Sequence, residues 1–441
     1  MKLVNIHKQT FLFLLLFIGL PSVQAQVWTL KQCMDTAQTY NKNLQISKNN
    51  GKISEQKHKE AQANLIPKLN VNAEYKYFTN LPYQLMPLSV FGGPDGKFKE
   101  AQFGVPHNLN ANIQLSMPLY NPQVYGAIQT SKKAMELYTL QYKKTEEQIY
   151  FEIANLYYNA QILHHQLAFI DSNLINVNRL VKTTQLLKEQ AMAKGTDVSK
   201  IQLQSEQLAS QKLIIESKYG QVINGLKYAI GISAEQSLVI DPVIEYTGNN
   251  EYSGQAPIDI QLVKIQNSIV TSELNTLKNS RLPSLSLIGT YGTTGFGYDK
   301  KPNNFLKFYP ISFTGVQLSY PIFNGTVTER KINQKNLEID NTQLQLALAT
   351  EQNSMQIRNI TMQQQAIRNS VETALSQIKL AKFIYEQTIL QQNQGTANLT
   401  EVLMADNALR EAQQTYLSAV IDYLKTDLEL KKITGNLSIK N

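Results

Sequence analysis

Two adjacent histidines, His164 and His165, are the first residues to test for chemistry, since paired imidazoles can hold a metal ion. Chelation from a helix needs an i, i+4 pair, whereas neighbours diverge by about 100°, so no metal role is expected. Gly289, Gly292, Gly295 and Gly297 have the density of a phosphate cradle. No Lys-Ser/Thr follows them and no helix pattern starts there, so they are read as strand and loop glycines. The sequence shows no Ser/His/Asp or Cys/His arrangement, paired-carboxylate site or nucleotide fingerprint. A single cysteine, Cys33, excludes an intramolecular disulfide framework and a cysteine-rich metal site, and is expected to be a small buried hydrophobe. The lysine-rich run from Lys48 to Lys59 has the pattern of a solvated helix face. Neither an enzyme nor a cofactor is predicted.

The elements that must position these residues are unusual. Lys2 and Lys8 precede an apolar run from Phe11 to Ile18, with Pro21 and Val23-Gln24-Ala25 behind it. That core is too short to span a membrane and has the form of a secretory signal occupying 1–25. Cys33 lies well past the cleavage point, so no lipidated N-terminus is expected. Removing the signal takes the formal charge from +8 to +6, mild basicity that speaks against a nucleic-acid partner. No internal stretch approaches the ~20 apolar residues of a spanning helix.

The remainder reads as two copies of one unit, 26–240 and 241–441. Four landmarks recur in order: Leu65-Ile66-Pro67 against Arg281-Leu282-Pro283; Leu115-Ser116-Met117-Pro118-Leu119-Tyr120-Asn121 against Leu318-Ser319-Tyr320-Pro321-Ile322-Phe323-Asn324; Gly195-Thr196 against Gly395-Thr396; and Gly231 against Gly435. Their offsets are 216, 203, 200 and 204 residues, so only one loop differs much in length between the copies.

Between the prolines of each unit the sequence alternates. Leu69, Val71, Ala73, Tyr75 and Tyr77 interleave with Asn70, Asn72, Glu74 and Lys76. This period of two predicts strands over about 68–78, 109–119, 284–294 and 311–321, with loops over about 80–108 and 295–309. Such strands suit either a soluble sheet or a barrel between lipid and a wet lumen, and the largely uncharged polar faces favour the barrel. Tyr75, Tyr77, Tyr291, Phe296 and Tyr298 gather at the loop ends, as an interfacial aromatic girdle would.

The rest is helix, over about 122–192, 197–230, 325–393 and 399–432. From Ile149 to Val181 apolar residues follow a strict 4-3 spacing, a heptad seam. The counterpart seam from Ile357 to Ala381 is broken by Gln364. Pro67, Pro118, Pro283 and Pro321 fall where strand meets helix; each suits either a swivel between tilted strand and axial helix or simple strand termination. Four strands cannot close a barrel, and open edges are not tolerated in lipid, so the chain must oligomerise; three copies give twelve strands.

Two stretches now carry a resemblance: the duplicated Leu-Ser-X-Pro-(Leu/Ile)-(Tyr/Phe)-Asn, and Gly395-Thr396-Ala397-Asn398-Leu399-Thr400-Glu401-Val402-Leu403-Met404-Ala405. In both, the chain resembles the TolC-like outer membrane efflux protein family. The resemblance implies a membrane-spanning α+β fold: a homotrimer with a twelve-stranded outer-membrane barrel, continued by an α-helical barrel through the periplasm of a Gram-negative cell. A girdle from the chain ends and the segment near 236–258 is implied as well, as is docking to a periplasmic adaptor and an inner-membrane transporter of the resistance–nodulation–division or ABC type. Gly195, Thr196, Gly395 and Thr396 fall at the turns of the implied adaptor-docking tip. Asp197 is either the N-cap of a return helix or part of the tip's polar network. Glu401 takes the place of the first of two aspartates that narrow the closed pore in well-known members, while Met404 replaces the second. Three functions follow: an exit duct for efflux, the outer-membrane partner of type I protein secretion, or, in another class, a secreted coiled-coil structural or adhesion protein.

Overall fold

The computed structural model describes residues 27–244, 256–298 and 307–437. The expected signal at 1–25 lies outside them, as do 245–255 of the inter-repeat segment and 299–306 of the second loop. The first half runs β1 (Val27–Trp28), α1 (Leu30–Tyr40), α2 (Lys42–Ala63), β2 (Lys68–Tyr77), β3 (Tyr83–Pro87), β4 (Phe98–Gln102), β5 (His107–Tyr120), α3 (Pro122–Glu189), α4 (Gly195–Ile230) and β6 (Val239–Ile240). The second runs α5 (Ile258–Asn279), β7 (Ser284–Gly297), β8 (Lys307–Ser319), α6 (Val327–Asn393) and α7 (Leu399–Ile433). These form two compact units, one holding residues 50–139 and 262–347 and the other the remaining described residues.

The first unit contains an antiparallel sheet of order β2-β5-β7-β8. β2 pairs with β5 from Lys68↔Ser116 to Tyr77↔His107, and β7 with β8 from Ser284↔Ser319 to Phe296↔Lys307, both without a break. The helices repeat the strand order. His58 Nδ1 lies 2.8 Å from Ser131 Oγ, joining α2 to α3, and Thr130 lies 3.0 Å from Ser272, joining α3 to α5. Asn267 donates to Thr342 Oγ1 at 2.8 Å, and Lys335 pairs with Glu273 at 2.8 Å, joining α5 to α6.

Several expectations about this unit need correction. The stretch taken as a loop over 80–108 contains the β3–β4 hairpin, whose alternation of Tyr83, Leu85 and Pro87 with Gln84 and Met86 is masked by flanking Gly and Pro. The loop taken as 295–309 is shorter, because β7 continues to Gly297 and β8 starts at Lys307. β8 correspondingly ends at Ser319, leaving Pro321 beyond the strand. Pro67 and Pro283 do stand immediately before β2 and β7, but Pro118 lies inside β5 at a register shift against β7. A proline cannot donate to the ladder, which accounts for the irregularity there.

In the second unit the seam of α3 turns inward: Ile153, Ala160 and Val177 have no exposed surface. Val177, Leu180, Ile201, Leu208, Ala381, Val402, Ala405 and Leu409 form one cluster drawn from α3, α4, α6 and α7. Gln364 keeps the heptad phase of α6 and donates to Asp427 Oδ1 of α7 at 3.2 Å, so the apparent break is a polar layer within the seam. β1 pairs in parallel with β6, joining the chain's first described residues to the inter-repeat segment. Both are tied to α3, where Tyr157 Oη donates to Trp28 O at 3.0 Å and Gln161 Nε2 to Asp241 O at 2.8 Å.

The landmark glycines Gly231 and Gly435 end the two return helices with φ of 86° and 73°. At Gly231 a Cβ would also lie 2.5 Å from Tyr40 O, so both backbone angle and close approach require glycine. Among the described residues no helix is long and apolar enough to cross a membrane.

Candidate functional site

The sheet has one polar and one apolar face, and a single copy leaves the apolar one open. Leu69 is 69% exposed and Val71 77%, values far from those of a covered core face. Strands β2 and β8 are edges. The helices attached to those edges also carry uncovered seams. On α6, Leu337, Leu344, Leu348, Met355 and Met362 recur at heptad positions and are all more than half exposed. On α2, Ile46 and Ile53 stand seven residues apart and are equally open. Within the unit that holds the sheet, α2 leads into edge strand β2 with Ile53 exposed and α6 follows edge strand β8 with Leu337 and Leu344 exposed, and both an unpartnered edge and an unpartnered seam fit another chain.

The register also corrects the aromatic girdle. Tyr75, Tyr77 and Tyr291 share the apolar face, but Phe296 pairs with Asn108 and Lys307 on the polar face. Tyr298 lies past the end of β7 and donates to Gly104 O at 3.3 Å.

The two helix–helix turns are built differently. In the second, Gly395 has φ 75°, and Thr396 returns its N–H and hydroxyl to Gln391 O at 2.9 and 3.0 Å. Asn398 caps α7 by accepting from Glu401 N at 3.1 Å, and its amide donates to Glu401 Oε1 at 2.8 Å. Glu401 is thus held in the first turn of α7, where the helix dipole favours its charge. It is exposed, and Met404, 66% exposed, shares its side of the helix at i+3.

In the first turn the left-handed residue is Ala191, φ 60°, and not Gly195, which with Thr196 belongs to the opening turn of α4. Asp197 is not the N-cap. It is the third helical residue, accepting from Lys194 N at 3.3 Å.

Near both turns is a feature that sequence patterns did not reveal. Asp406 of α7 is completely buried. Its Oδ2 accepts from Gln204 Nε2 of α4 at 2.6 Å and lies 3.1 Å from Arg410 Nη2, while Oδ1 has no partner among the described residues. Burial raises the Asp406 carboxyl above its ordinary range against the opposing pull of Arg410 and Gln204. Burial and this carboxylate together push the Tyr385 hydroxyl of α6 up to about 12. The only sequence signal was an acidic residue beside the apolar positions Ala405 and Leu409. Alongside runs a groove of about 910 Å³ lined by Asn173, Arg179, Lys382, Tyr385 and Gln413, among others.

A second buried acid, Glu147 of α3, is pushed up to about 7, mainly by burial. Cys33 is fully buried as expected, and burial pushes its thiol up to about 12. His164 and His165 do not converge: their rings stand edge-on 6.1 Å apart, with His165 Nε2 2.9 Å from Pro242 O.

Comparison with known proteins agrees with this geometry. The sequence profile described as "Outer membrane efflux protein" matches residues 271–436. Outer membrane protein TolC of Vibrio cholerae is 21% identical over 345 residues, covering 75% of this chain and 77% of the relative. Outer membrane protein TolC of Escherichia coli is 19% identical, covering 94% and 83%. The outer membrane protein VceC of Vibrio cholerae shares the fold with a TM-score of 0.74 at 15% identity, over 92% of this chain and 96% of that one. The open-state MtrE outer membrane channel of Neisseria gonorrhoeae does so with a TM-score of 0.72 at 14% identity, over 93% and 89%. The profile match over the second half, the relatives spanning most of the chain and the shared fold make this protein similar to the TolC-like outer membrane efflux proteins.

Proposed function

We propose that the protein is the exit duct of a tripartite efflux system in the outer membrane. It works as a homotrimer that passively conducts solutes from a periplasmic adaptor and an inner-membrane transporter to the exterior. The observation that carries this reading is the open edge pair. β2 and β8 end the sheet, and the helices joined to them in sequence, α2 and α6, bear exposed heptad residues. Three copies joined edge to edge give twelve strands with the apolar face toward lipid and the amide-rich face inward, and the helices close by the same operation.

The tip turns at Gly195, Thr196, Asp197, Gly395 and Thr396 are assigned to adaptor docking, supported by the adjoining groove with Arg179 and Lys382. Glu401 and Met404 on one exposed side of α7 suit a pore constriction of three acidic groups, which favours cations. Pro67 and Pro283 are assigned the swivel role, as are Pro118, two residues inside the end of β5, and Pro321, two residues past the end of β8. Energy comes from the transporter, of the resistance–nodulation–division or ABC type.

Outer-membrane fractionation followed by single-channel recording tests the duct. A protein absent from the membrane fraction, or inserted but silent, would overturn it. A neighbouring gene for an ABC exporter together with a secreted substrate would instead favour type I secretion.

A further inference from the structure

The inward face of the sheet is chemically divided. Hydrogen-bonded register aligns four rows across the strands: Asn70–Gln114–Thr290–Phe313, Asn72–Asn112–Gly292–Ile311, Glu74–Asn110–Thr294–Tyr309 and Lys76–Asn108–Phe296–Lys307. Directly paired residues point to the same side of a sheet, so each row belongs to one face. Side-chain bonds agree, with Asn72 Nδ2 donating to Gln114 Oε1 at 3.0 Å and Thr294 Oγ1 to Asn110 Oδ1 at 2.9 Å. Every row starts polar on β2, and on β7–β8 the rows bring together Phe296, Tyr309, Ile311 and Phe313.

These four side chains are between 37% and 50% exposed. Phe296 and Tyr309 lie 6.0 Å apart at 51°, and Lys307 Nζ stands 5.7 Å from the Tyr309 ring. Lys76 in the same row is neutralised by Glu74 at 2.9 Å, whereas Lys307 makes no ion pair among the described residues. Large apolar groups facing a wet lumen mark a contact surface. Tilted rings with an adjacent cation match an aromatic solute bearing negative charge.

We propose that the β7–β8 strip of each copy is a binding surface for aromatic organic anions on their way out, flanked by an amide-lined water path on β2–β5. The inference rests on the duct reading and names a substrate class for it.

The test is current recording from the full-length trimer in a planar bilayer, with 2-naphthalenesulfonate added on the strand side. Transient blocks are expected whose frequency rises with concentration. Cyclohexanesulfonate, equally charged but saturated, should block at least tenfold more briefly. Phe296→Ser with Tyr309→Ser, which removes the ring pair 6.0 Å apart, should shorten the naphthalenesulfonate block about tenfold. Lys307→Gln, a mild exposed change that guards against misfolding of the double variant, should shorten block by the anion but not by neutral 2-naphthalenemethanol. Conducting channels with equal dwell times for both sulfonates, or unaltered dwell in the variants, would overturn the strip alone. Blocks seen only after residues 83–102 are excised would assign the strip to the β3–β4 hairpin and overturn it too. Inserted trimers that carry no current would overturn the duct, and the strip with it.

Discussion

Glu147→Gln should make the protein more stable at neutral and alkaline pH and leave it unchanged in acid. Glu147 is 7% exposed on α3, and its carboxyl is raised from 4.5 to about 7. Burial is the largest cause; Lys432 pulls it down, Asp259 pushes it up, and Lys144 pulls it down again. Lys432 is itself occupied over the Phe151 ring at 4.9 Å, and Lys144 is paired with Asp259 at 2.6 Å, so neither is free to neutralise the acid.

Because the folded state binds this proton more tightly than the unfolded chain, the favourable contribution is complete below about pH 4.5. It is lost as pH rises through about 7. A shift of that size corresponds to at most about 3 kcal/mol per chain at 1.36 kcal/mol per pH unit. Glutamine mimics the protonated form. Guanidinium unfolding, followed by far-UV circular dichroism at matched protein concentration, should give coincident curves for both proteins at pH 4.5. At pH 8 the variant midpoint should be higher by the equivalent of 1–3 kcal/mol, the range expected of a buried uncompensated charge (roughly). Parallel pH profiles for the two proteins would show that Glu147 is not buried as described and refute the reasoning.

The other sites yield predictions of different kinds. Gln204→Leu leaves Asp406 Oδ2 with Arg410 but without its α4 donor and should destabilise by about 1.5–3 kcal/mol, whereas Asp406→Asn, whose amide can still bond Gln204, should cost less; the order of denaturation midpoints checks this. Leu344→Glu places a charge in the exposed α6 seam and should weaken association of copies at least about tenfold, seen as a shift from trimer to monomer by light scattering in detergent. Glu401→Gln should reduce cation selectivity, measured as reversal potential in a salt gradient, with trimers intact; an unchanged potential would remove Glu401 from the pore. Gly231→Ala must strain a left-handed residue and meet Tyr40 O at 2.5 Å, and should lower the unfolding midpoint by more than about 1 kcal/mol.

Legibility in the sequence followed the strength of each period. Strand β2 was readable because Leu69 to Tyr77 alternate cleanly with Asn70 to Lys76, and α3 because its seam runs unbroken from Ile149 to Val181. Turn residues were readable where the backbone demands them, as at Gly231, Gly395 and Gly435, but not at Ala191, which nothing local marks as left-handed. The β3–β4 hairpin escaped because five-residue strands between Gly and Pro leave too short a period to detect. Asp406 escaped because burial of a charge depends on which helix arrives opposite it, and Gln204 lies 202 residues away.

By itself the sequence determined the duplication, the strand-and-long-helix alternation, the need for more than one copy and the resemblance to the efflux family. These follow from local periodicity and from counting strands. Which face the upper half of β8 presents was undecidable at that level, since Phe308 and Pro310 on one parity compete with Tyr309, Ile311 and Phe313 on the other. Only the unbroken hydrogen-bond register with β7 sends the second set inward. A one-residue slip would have sent every side chain to the opposite face, so the lining of the lumen is a property of strand pairing, which no single strand contains.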